Sequence, residues 1–69
     1  MRWVREHSKP YRLELKYNLG EERWSEVQDT LNEAKKWCRQ NNMFIWDDGL
    51  FYIGFINHRD MAWFLLRWS

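Results

Sequence analysis

The chain predicts an α+β domain of two layers in the order β-α-β-β-α. A three-stranded antiparallel/mixed sheet would carry both helices on one face. Three observations carry this reading. Residues 11–17, Tyr-Arg-Leu-Glu-Leu-Lys-Tyr, alternate apolar and polar, the pattern of a half-buried strand. Trp24, Val27, Leu31, Ala34 and Cys38 recur at spacings of three and four, the stripe of an amphipathic helix. Two apolar runs, 43–46 and 50–56, flank Asp47-Asp48-Gly49, and Asp-Gly between apolar runs signals a hairpin.

Residues 1–9 read as a flexible N-terminal arm closed off by Pro10, and residues 10–69 as a single domain. In the first strand, Tyr11, Leu13, Leu15 and Tyr17 point one way, and Arg12, Glu14 and Lys16 point the other. Asn18-Leu19-Gly20 breaks the alternation. A helix is expected from about residue 21 to residue 40, with Glu21 and Glu22 at its positive end and Lys35, Lys36 and Arg39 at its negative end. Ser25 and Gln28 have capping-box spacing, which leaves the first turn open. Asn41-Asn42 is a fair stop, because Asn tolerates the left-handed conformation. Asn57 would cap a final helix, with Asp60 three residues on and Met61, Phe64, Leu65 and Trp68 as its inward stripe.

A right-handed crossover would make the first two strands parallel. The hairpin would then insert the third between them, giving the order 1-3-2. This topology resembles a ferredoxin-like fold truncated by its fourth strand, a likeness that implies no activity.

The hairpin leaves two registers open. A two-residue loop, Asp48-Gly49, puts Phe44, Trp46, Phe51, Ile53 and Phe55 inside, and Met43, Ile45, Tyr52 and Gly54 on the open face. A three-residue loop flips the second strand. Met43 and Ile45 then go inside, and Phe44, Trp46 and Tyr52 form an aromatic platform outside. The first register is expected because it buries more apolar surface.

A chain of 69 residues needs a dense core, and 45% hydrophobic and 19% aromatic content supply one. Six tryptophans exceed what so small a domain hides easily, so some are expected at its rim or surface, where aromatic anchors serve binding. A net charge of +1 is no electrostatic footprint for nucleic acid, although it does not remove that partner. The mixed signs of Arg12, Glu14 and Lys16 weaken it further. Cys38 is the single cysteine, which fits a reducing cytoplasm. No apolar run reaches the roughly 18 residues of a membrane span, and the first residues have no apolar stretch resembling a signal peptide.

No residue set announces a reaction, so the chain reads as non-enzymatic, with no cofactor. His7 and His58 lack a metal partner at useful spacing. Cys38 falls in a buried stripe, where a thiol is inert. Asp47 and Asp48 are turn formers. Gly20, Gly49 and Gly54 make no phosphate-cradling loop.

Trp63 is the sharpest binding candidate. It lies about 180° from the inward stripe of its helix, with Arg59 and Arg67 one turn to either side and positioned to lie against its ring. That composition is typical of an interface hot spot. The competing reading covers Trp63 with the arm, through Trp3 and Val4. Trp37, about 100° off the first stripe, and Tyr52 on the open face are secondary contributors.

Residues 51–68 resemble the closing segment of small tailed-bacteriophage proteins: an aromatic strand, a polar cap, then an Ala-x-x-Phe-x-x-Arg-Trp-like helix. Asp60, Ala62, Phe64, Arg67 and Trp68 carry the likeness. The resemblance implies a host-directed binder in the host cytoplasm, inhibiting or redirecting an enzyme, the transcription machinery or a defence complex. The expectation is therefore a protein-binding module that occupies a host protein's surface, with a homodimer contact as a further partner. The alternatives are a single-stranded nucleic-acid binder using the open sheet, and a phage structural or assembly subunit.

Overall fold

A computed structural model describes residues 1–7, 10–46 and 49–68. The elements are β1 (Arg2–Glu6), β2 (Arg12–Lys16), α1 (Trp24–Gln40), β3 (Ile45–Trp46), β4 (Tyr52–Phe55) and α2 (His58–Trp68). The class is α+β. The sheet is four-stranded, in the order β1-β2-β4-β3, with every neighbouring pair antiparallel. Exchanging β1-β2-α1 with β3-β4-α2 maps this order onto itself, so the topology is two ββα units about a two-fold axis between β2 and β4.

The expectation of three strands is corrected by Arg2–Glu6. They supply β1 at the sheet edge where an arm was expected. Trp3 is the reason. It pairs across the sheet with Leu15, is buried, and meets the Phe64 ring edge-on at 5.1 Å. Between Arg2 and Val4, one large buried residue anchors a strand whose alternation is otherwise inconspicuous. The three expected strands keep their relative places, since β4 lies between β2 and β3.

α1 begins three residues later than expected. Asn18 organises a separate turn first: its carbonyl accepts from the Glu21 and Glu22 N–H groups, and its Oδ1 accepts from Gly20 N–H at 2.8 Å. Arg23 is then the extended N-cap, without a side-chain cap, so the Ser25–Gln28 box does not start the helix. At the other end, Asn42 takes the left-handed conformation at φ 59°. Asn57 Oδ1 accepts Asp60 N–H at 2.9 Å, which caps α2 as expected.

One core joins the layers. Leu13, Leu15, Ile53 and Phe55 of the sheet meet Val27, Leu31, Ala34 and Cys38 of α1 and Met61 and Phe64 of α2. Trp24, expected within that stripe, is instead 40% exposed and rests against the Tyr17 and Phe51 rings.

The preferred hairpin register is overturned. Ile45 pairs with Phe55 and Trp46 with Gly54. Met43 and Ile45 face the core, and Phe44 and Trp46 face out. The exit from α1 decides this. Met43 N–H donates to the Cys38 carbonyl at 3.0 Å, just after left-handed Asn42, which turns Met43 inward. Alternation then sends Phe44 out, Ile45 in and Trp46 out. Gly49, at φ 121°, takes a backbone that glycine accepts without strain. Asp47 and Asp48, read as turn formers, lie outside the described residues.

Candidate binding surface

The open face of the sheet is set by strand register. One row across it reads Glu6, Arg12, Gly54, Trp46, and the next reads Val4, Glu14, Tyr52. Gly54 creates a slot in this surface. A Cβ there would come within 3.1 Å of the Trp46 ring, so the indole packs over bare backbone. Even so, Trp46 is 60% exposed and Phe44 is 75% exposed. Ile56, just beyond the end of β4, is exposed as well.

Charges on this face are locally matched. The Arg12 guanidinium lies 3.9 Å from the Tyr52 ring centre and 3.6 Å from the Glu6 carboxylate. Lys16 sits 3.1 Å from Glu14. The face thus presents exposed aromatics beside balanced ion pairs, without a single-sign field.

The residues expected to bind a partner fall on two sides of the molecule. Tyr52 belongs to the open sheet. Trp37, Arg59, Trp63 and Arg67 belong to the helical layer. Trp63 is 45% exposed, and its ring meets Trp37 edge-on at 5.7 Å. Trp37 is half-buried and also touches the Phe64 and Trp68 rings, which makes it the rim of the core. Arg67 does not flank Trp63 as expected; its guanidinium lies over Trp68 at 4.9 Å. Arg59 is exposed in the first turn of α2. Trp3, the cover for Trp63 in the competing reading, packs on Phe64.

Sequence reasoning left Phe44 and Trp46 out of the binding set. The signal available was Gly54. A glycine inside an aromatic strand marks a close approach by a neighbour, and that neighbour is Trp46.

The groups that support chemistry are elsewhere. Cys38 is buried in α1, and burial pushes its thiol up to about 11 despite the nearby Arg39 charge. It is protonated near neutral pH and shielded. Among the described residues, no three His, Cys, Asp or Glu side chains gather to hold a metal ion. Among them, too, no helix is long and apolar enough to cross a membrane. Comparison with protein-family models, with curated proteins and with solved structures gives no match.

Proposed function

We propose that this chain is a non-enzymatic protein-binding module whose contact surface is the open sheet face around Trp46, Phe44 and Tyr52. The observation that carries the reading is the exposed indole over Gly54, beside an even more exposed Phe44. Exposed aromatics held on a rigid sheet cost little side-chain entropy on binding, and truncating a central anchor of this kind typically costs about 2 kcal/mol or more. Trp63, half-covered by Trp37, takes a secondary place. The partner class follows from the phage-like closing segment: a host protein whose surface is occupied, and which is thereby inhibited or redirected.

A single-stranded nucleic-acid binder is the second reading, favoured by the same platform, since bases stack on exposed aromatic rings. The matched pairs Arg12–Glu6 and Lys16–Glu14 favour a protein.

Capture of partners from a host lysate separates these readings. Trp46→Ala should abolish capture and leave the melting temperature near that of the parent, while Trp63→Ala should weaken it less. The reverse ranking would return the site to α2. Quenching of tryptophan emission by a single-stranded oligonucleotide, lost steeply with added salt, would favour nucleic acid.

A further inference from the structure

We infer that the free edge of β3 docks a second copy of this chain, pairing antiparallel through Ile45. The main-chain hydrogen bonds set the geometry. Phe55 N–H donates to the Tyr11 carbonyl at 2.8 Å, and Leu15 N–H donates to the Phe51 carbonyl at 2.9 Å. The odd-numbered residues of β4 therefore turn their backbone groups toward β2. Alternation turns those of Gly54 toward β3. Trp46, opposite Gly54, uses its N–H and C=O inside the sheet. Ile45 turns its own pair to the open edge.

The occupant this edge requires is a strand with an apolar residue toward the helices and aromatics toward the open face. A cavity of about 460 Å³ adjoins the edge, lined by Arg39, Asn42, Met43, Phe44 and Ile45. On the open face stand Phe44 and Trp46. The segment Phe44-Ile45-Trp46 itself has the required pattern. A two-fold axis at Ile45 makes two reciprocal N–H to C=O bonds between the two Ile45 residues. It places Phe44 of each copy opposite Trp46 of the other, in the close-packed, non-hydrogen-bonded pairing.

Charge permits this edge and disfavours the other. Residues 43–46 carry no charge, so no like charges are paired within that segment, and Arg39 in the lining of the adjoining cavity is the charge nearest to it among the residues around that cavity. The opposite edge, β1, carries Arg2, Arg5 and Glu6, which blunts it against pairing. Area limits the strength. Each aromatic carries roughly 150–250 Å², so four of them fall short of the roughly 1,200–2,000 Å² of a standard interface. The dimer is therefore weak and concentration-dependent, in the micromolar range. The pairing runs through the backbone of the edge and the flanks of Phe44 and Trp46, so it shares those two residues with the proposed contact surface.

Sedimentation equilibrium of the full chain, from micromolar concentration to about 1 mM, tests it. The expected result is a monomer–dimer equilibrium. Ile45→Pro removes the outward N–H and should weaken dimerisation on the order of thirtyfold, with the monomer still folded by circular dichroism. Phe44→Glu and Trp46→Lys should each weaken self-association. Mixed together, they should recover a heterodimer, because position 44 of one copy faces position 46 of the other. If the proline variant does not fold, this mixture decides the matter. A strict monomer throughout the range, a dimer indifferent to Ile45→Pro, or a mixture without recovery would overturn the proposal.

Discussion

The two ββα units share a topology and divide the labour. In β1-β2-α1, the open sheet face is mainly charged, and the helix buries small and medium side chains, Val27, Leu31, Ala34 and Cys38. In β3-β4-α2, the helix is 11 residues against 17, and large residues dominate both inside and outside. Phe55 and Phe64 are fully buried, while Phe44, Trp46, Leu50, Ile56, Trp63 and Leu66 are exposed. Among the described residues, the first unit exposes Met1, Leu19 and Trp24 as its large apolar residues. The same architecture therefore serves a self-protecting scaffold in one half and a sticky surface in the other. What differs is how many aromatics each half holds beyond those its core absorbs.

The strongest way to break this contrast is to remove the residue both halves share. Phe64 is fully buried and its ring meets Trp3 of the first unit, Phe55 of the second, and Trp37 and Trp68. Phe64→Ala should cost about 3–5 kcal/mol, enough to unfold much of so small a domain, as read by urea titration. A loss under about 1 kcal/mol would mean that the units do not meet through Phe64.

The same logic separates two tryptophans. Trp3→Ala should approach the Phe64 loss, because Trp3 is buried at 6% exposure. Trp46→Ala should stay within about 1 kcal/mol of the parent, since the indole faces solvent. Comparable losses at both positions would dissolve the distinction between scaffold and surface.

Cys38 reports on the scaffold without a change in packing. Its thiol should resist a thiol-modifying reagent in the folded chain near neutral pH and react once denaturant opens α1, because burial holds its pKa at about 11. Rapid labelling of the folded chain would show that α1 opens locally.

The smallest effect is expected at the start of the first unit. The Met1 ammonium and the Asn18 N–H both contact the Glu22 carboxylate, and the ammonium is the larger cause of its lowered pKa. A depressed carboxylate pKa adds stability that is fully present above the ordinary value of 4.5 and is lost as pH falls through the folded value. Glu22→Gln should lower stability slightly at neutral pH, where the parent carboxylate is ionised, and leave it unchanged in acid below the folded value, where the parent is already protonated. Such exposed pairs contribute little, so an effect larger than that of Trp46→Ala would be the surprise.

Much of this architecture was legible in residue order. The alternation of 11–17 located β2, because a half-buried strand leaves that pattern on each residue. The spacing of Val27, Leu31, Ala34 and Cys38 located the buried side of α1, and Asn57 with Asp60 located the start of α2. β1 was not legible. Edge strands bury only occasional residues, and Arg2, Arg5 and Glu6 look like a solvated arm until Trp3 is seen in the core. The candidate site was half legible. Trp63 does face outward, but which neighbours cover a helical tryptophan depends on the packing of Trp37, a contact between helices that local spacing does not encode.

Residue order by itself determined the α+β class, the identity of both helices, the Asn caps and a surplus of aromatic residues beyond one small core. Tertiary structure alone decided which aromatics became that surplus. Strand periodicity assigns residues to two faces without saying which face is inside. Phe44-Ile45-Trp46 reads equally well with either side buried. The tie was broken outside the strand itself, where the Cys38 carbonyl draws in Met43 and bare Gly54 admits the Trp46 ring on the opposite face.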